Sequence, residues 1–184
     1  MRRLLAASSA AALIAMSVGF TAATAAPTPT VPIAGSFTSA GSAQVVGPHA
    51  ASAPLTITLV LQPGSVGQLN NLLTKLYDPT SNQYHHWLAA GQFAQQFAPA
   101  AADVASVTTF LTQAGLTITS SPSPLLIRAT GTTGQIEGAF NTSINDYRTA
   151  SGTAFYQNSG TVSVPASLGS IVQGVTGLWN TVRL

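Results

Sequence analysis

Between residues 55 and 61 the chain reads LTITLVL, with Ile57, Leu59 and Leu61 alternating against Thr56, Thr58 and Val60. A period of two predicts a strand with one strongly apolar face. Pro63-Gly64 ends it, and the period then lengthens. Leu69, Leu72, Leu73 and Leu76 fall at i, i+3, i+4 and i+7, one stripe of an amphipathic helix over about 65–77 that Pro79 stops. A second helix is expected over about 100–114, with Val104, Val107, Leu111 and Ala114 on one face and Phe110 widening it. Gly115 stands where a helix C-terminus favours a left-handed residue. Two short strands follow, at 116–119 and 125–130, separated by the turn Ser121-Pro122-Ser123-Pro124. Thr132 with Gln135 fits a capping box, opening a short helix on Ile136, Ala139 and Phe140. The runs 143–149 and 153–157 bracket Ala150-Ser151-Gly152 as a hairpin, and 164–178 offers a short helix and a final strand. The order strand, helix, helix, strand, strand, helix, strand predicts an α+β open sandwich. Its antiparallel sheet would carry the helices on one face.

The chain ends change this picture. Arg2 and Arg3 precede an apolar run from Leu4 to about Phe20, followed by Ala23-Thr24-Ala25. That is the layout of a secretory signal peptide over 1–25, cut near Ala25 or Ala26. The apolar run is short for a membrane span. Residues 26–53, rich in Pro, Ala, Ser, Thr and Gly, read as a flexible leader, so the domain is expected over 54–178 with a tail at 179–184. Delivery is expected to the periplasm or the medium, with no membrane association after the signal is removed. Losing Arg2 and Arg3 leaves four basic residues against four acidic ones. A basic surface for nucleic acid is therefore not expected. Cysteine is absent, so the exported domain must hold itself by its core. Charged residues make up only 5% of the chain, and so few carboxylates are compatible with folding in acid.

Hydrolytic chemistry needs a nucleophile with a base, a metal, or paired carboxylates. After the signal the carboxylates are Asp78, Asp103, Glu137 and Asp146. Asp78 and Asp103 lie near helix starts or turns, Glu137 in the first turn of a helix, and Asp146 two residues from Arg148 on one side of a strand. Each has a structural role available. His85 and His86 are adjacent, so their side chains point apart, a poor arrangement for zinc. His49, the third histidine, falls in the leader. A pH-sensing role for His85 and His86 is a better reading. The bland alternative is that Tyr84, Trp87, Leu88, Phe93 and Phe97 anchor the loop with the histidines between them. The run Ser151-Gly152-Thr153-Ala154 is similar to a serine-peptidase nucleophile motif, but Ala154 replaces the attacking hydroxyl. No cofactor or metal is expected.

The stretch DPTSNQYHHWL, then FAQQFAP and ADVASVTTFLTQAGL, resembles the activation prodomain of the sedolisins, serine-carboxyl peptidases also called kumamolisins. The matching positions are Asp78, Pro79, Ser81, Tyr84, Leu88, Phe93, Phe97, Pro99, Gly115 and Leu116. Glu137 with Phe140, and Pro165 in the VPASLGSIVQGVTGL ending, extend the match to about 54–178. The resemblance implies a ferredoxin-like fold, as in subtilisin-type propeptides. It also implies two tasks, templating the folding of a peptidase domain and covering its active site until acid releases it. Neither needs a catalytic residue here.

Three functions follow as expectations. The first is a stand-alone domain that binds a serine-carboxyl peptidase in trans, as inhibitor or folding helper. The second is the N-terminal part of an acid peptidase whose catalytic domain is encoded downstream. The third is a secreted surface-binding module that kept only the fold.

Overall fold

The strand over Pro54–Leu61 is the centre of the molecule, and its alternation explains why. Leu55, Ile57, Leu59 and Leu61 are buried, the last three completely. The computed structural model describes residues 28–119, 121 and 123–180. In chain order the elements are β1 (Thr30–Pro32), β2 (Gln44–Pro48), β3 (Pro54–Leu61), α1 (Val66–Tyr77), α2 (Gln92–Phe97), α3 (Ala101–Gln113) and β4 (Thr117–Thr119). Then come β5 (Leu126–Thr132), α4 (Thr133–Phe140), β6 (Ile144–Arg148), β7 (Ala154–Asn158), β8 (Ser163–Pro165), a 3-10 turn (Ala166–Leu168) and β9 (Val172–Thr176). The main sheet is antiparallel in the order β4-β5-β3-β9. With α3 and α4 as its helices this is the strand–helix–strand–strand–helix–strand course of a ferredoxin-like fold: the α+β sandwich that the residue pattern predicts, in the form that the resemblance implies.

The core lies between this sheet and the two helices. Val107 and Leu111 of α3, and Ile136 and Phe140 of α4, are fully buried in it. Phe110 meets Phe140 edge-on, with centroids 5.7 Å apart. The helix ends are fixed as the residues predict. Gly115, at φ +80°, closes α3 with bonds from Gly115 N to Thr112 O and from Leu116 N to Leu111 O. The α4 capping box is complete: Thr132 Oγ1 accepts from Gln135 N, and Thr132 N donates to Gln135 Oε1. Gln135 Nε2 also donates to the Gly115 carbonyl, so one side chain ties the start of α4 to the end of α3.

Two expectations are corrected here. Residues 26–53 are not all leader. β1 pairs with β8 and β2 pairs with β6, giving a second sheet β2-β6-β7 and a small β1-β8 ribbon. Ile33 sits in the core and Ser36 is buried, its hydroxyl donating to Ile33 O and accepting from Val162 N. The fold therefore begins well before Pro54. At the other end, Trp179 bridges to Gln157, and Asn180 accepts from Tyr156 N, so the expected tail is in part structural. The second correction concerns α1. It is a helix at the expected place, but of its leucine stripe only Leu76 is buried, and no α1 residue belongs to the main core. Leu73 is 43% exposed.

The expected signal peptide, with Ala25 and Ala26, lies outside the described residues. Among the described residues no helix is long and apolar enough to cross a membrane.

Candidate functional site

Two surfaces stand out, and both begin as simple sequence patterns. The first is the face of the main sheet opposite α3 and α4. Because β3 turns its leucines and isoleucine inward, Thr56, Thr58 and Val60 point the other way. Register extends this face across the sheet. Thr56 lies beside Thr130, which lies beside Thr117. Thr176, Thr58, Arg128 and Thr119 form a second row, and Gly174, Val60 and Leu126 a third. Thr56, Thr117, Thr176 and Arg128 are exposed and the others half-buried. The result is a hydroxyl-rich platform with a single cation, Arg128, at its middle. No carboxylate lies in these rows.

The second surface is the stretch from α1 to α2. Asp78 caps the end of α1, and its Oδ1 accepts from the Thr80 hydroxyl at 2.7 Å and the Thr80 amide at 2.9 Å. These bonds hold the Asp78 carboxyl below the ordinary carboxylate range. Ser81 continues the turn by accepting from Gln83 N, and Tyr84 N donates to Ser81 O. His85 N then donates to Leu76 O, folding the loop back on the helix. His85 adopts φ +57°, a left-handed conformation uncommon outside glycine. The turn stacks His85 on Tyr84 at 3.8 Å and lays it parallel to Trp87 at 5.9 Å, while Tyr77 meets Trp87 edge-on at 5.7 Å. Tyr77 is 67% and Trp87 59% exposed, so this is an aromatic pad on the surface.

The adjacent histidines differ in surroundings: both are exposed, and His85 stacks with Tyr84 and Trp87. Pro79 is exposed, Leu88 half-buried, and Phe93 packs on buried Phe97 at 5.5 Å with Pro99 buried nearby in sequence. Phe97, Pro99 and Phe140 are buried, whereas Gly115 and Tyr84 are exposed. Pro165 pairs with Thr30 in the small ribbon.

Glu137 is not in the first turn of α4. Its carboxylate reaches forward and accepts from Ile144 N at 2.7 Å, fastening α4 to β6. Asp146 has a different partner from Arg148. Its Oδ1 lies 2.7 Å from His49 Nδ1, and the His49 ring packs on Tyr156 at 4.9 Å. Arg148 donates instead to Gly152 O. Burial pushes the Tyr156 phenol up from its ordinary value. This three-residue cluster escaped sequence reasoning, because only the pairing of β2 with β6 brings His49 to Asp146. Among the described residues no three His, Cys, Asp or Glu side chains converge as metal ligands.

Comparison with known proteins adds to this geometry. The family model described as "Pro-kumamolisin, activation domain" matches residues 42–181. Xanthomonalisin of Xanthomonas sp. (strain T-22) is 37% identical over 128 residues, 69% of this chain and 15% of that protein. Sedolisin of Pseudomonas sp. (strain 101) is also 37% identical over 128 residues, again 69% of this chain but 22% of that protein. The match therefore spans less than a quarter of either relative.

Proposed function

The chain belongs to the pro-kumamolisin activation-domain family, and from that premise we propose that it is an exported binding domain for the catalytic domain of a sedolisin-type peptidase. In this reading the domain acts by binding and needs no complete catalytic set of its own. The observation that carries this reading is the uncovered sheet face. A folded antiparallel sheet buries one side against α3 and α4 and leaves the other as a flat hydroxyl platform around Arg128. Such a face suits a protein partner. Threonine side chains are short and stiff, so they lose little freedom on docking. Arg128 supplies one charge-assisted contact to fix the register. The aromatic pad is a second contact, since exposed Trp and Tyr commonly anchor interfaces.

The test is addition of the purified domain to an acid sedolisin-type peptidase stripped of its own prodomain, with inhibition and refolding yield measured across pH. Inhibition or assisted refolding is the expected result. An R128E/T58E variant that stays folded is expected to lose at least tenfold in affinity. Absence of both effects at every pH overturns the reading. Association with cells or polysaccharide in their place supports a surface-binding module.

A cis arrangement is the second reading, because the matched region is a small part of both relatives. DNA sequence beyond the Leu184 codon tests it, since a serine-carboxyl catalytic domain read in any frame supports a common origin in one polypeptide. His85 and His86 are proposed as the acid-responsive part of the pad, because a protonated ring between Tyr84 and Trp87 interacts with them differently from a neutral one. An unchanged pH profile of release in His85→Ala with His86→Ala rejects that role.

A further inference from the structure

Away from the threonine face, a cavity of about 330 Å³ opens between the β6–β7 hairpin and the loop before β2. Its cause is visible in the sequence. The loop over 38–43 reads TSAGSA, so nothing larger than threonine arches over two large rings, Phe155 and Trp179. Phe155 is nearly buried, while Trp179 keeps 39% of its surface exposed. The bridge between Gln157 and Trp179 places the indole at the edge of β7. Gln157, itself almost buried, lines the space and holds the arch by donating to the Thr38 carbonyl. Thr38, Ser42 and Thr149 complete the polar lining, and among the described residues no ionisable side chain borders the space.

We infer that this cavity is a binding site for an uncharged aromatic small molecule of one or two rings carrying a hydrogen-bonding group. Size and chemistry both point there. The volume lies at the lower end of ordinary ligand sites, which begin at about 300 Å³. It is about twice that of an apolar cavity known to admit benzene. Ring-on-ring contact with Trp179 and Phe155 supplies the attraction, and the hydroxyls supply orientation. A charged ligand would lose its hydration with no opposite charge to meet it. The site shares no residue with the threonine rows or the aromatic pad, so it stands or falls separately from the peptidase-binding reading.

The probes are indole, phenol and, as a charged control, benzoate, titrated into the isotopically labelled domain and followed by NMR. Saturable shifts at Phe155, Gln157 and Trp179 are expected with indole and phenol, with Kd below about 1 mM. Benzoate is expected to bind at least tenfold more weakly. Ala40→Leu fills the space from the arch and is expected to weaken indole at least tenfold with the melting temperature unchanged. Trp179→Ala removes one wall from a partly exposed position and serves as the second variant should Ala40→Leu lose its fold. Absence of saturable shifts up to the solubility of indole overturns the inference. So does equal binding of benzoate, or unaltered indole affinity in the folded variants.

Discussion

At the scale of single residues the fold spends its few charges on holding segments together. His49 and Asp146 join β2 to β6, and Glu137 joins α4 to β6. His49→Ala removes one hydrogen bond and one ring contact from a half-buried position. It is expected to lower unfolding stability by about 1 kcal/mol, read as a shifted urea midpoint without a changed slope. Asp78 offers a pH-dependent test. Bonds from Thr80 lower its folded-state pKa, so their support is present above the ordinary carboxylate range and lost as pH falls through the lowered value. The Thr80 amide resonance is expected to move toward its unbonded position as pH falls below the ordinary carboxylate range. In Asp78→Asn that titration disappears. Asp78 was legible as a turn residue from its place before Pro79. Asp146 was misread, because its true partner lies 97 positions away.

Elements differ in how well they could be read, and the reason is physical. β3, α3 and α4 carry strong periodicity and their own end signals, so both type and burial follow. α1 carries equal periodicity, yet only Leu76 of its stripe is buried, with Leu69 and Leu72 half-buried and Leu73 exposed: periodicity reports an apolar face without saying what meets it. β1 and β2 are short, lie in Pro- and Gly-containing sequence, and exist only through distant partners, β8 and β6. A chain lacking residues 1–53 discards those pairings and the buried Ile33, worth about 2 kcal/mol alone. It is expected to melt at least 5 °C below the chain begun at residue 26, measured by circular dichroism. Gly177 makes a sharper element-level test. It follows β9 at φ +93°, and a Cβ there would stand 2.2 Å from Thr56 O. Gly177→Ala is expected to cost more than about 2 kcal/mol, because neither backbone can yield cheaply. A melting temperature within 2 °C of the parent would contradict this.

For the whole molecule, the sheet has two unlike sides: one makes the core and the other carries the threonine rows proposed to meet a peptidase. Substitutions on the threonine face are therefore expected to separate binding from folding. R128E should leave the melting temperature within 2 °C while weakening peptidase inhibition, and an equal loss of both would assign Arg128 to the fold. The pairing pattern has one more consequence. β1 finds its mate in β8, and β3 finds one of its two in β9, so early segments must wait for late ones. In a polypeptide threaded head-first through a narrow channel, β1, β2 and β3 would all stay unpaired until β5 at Leu126–Thr132 had followed, and β1 until β8 at Ser163–Pro165.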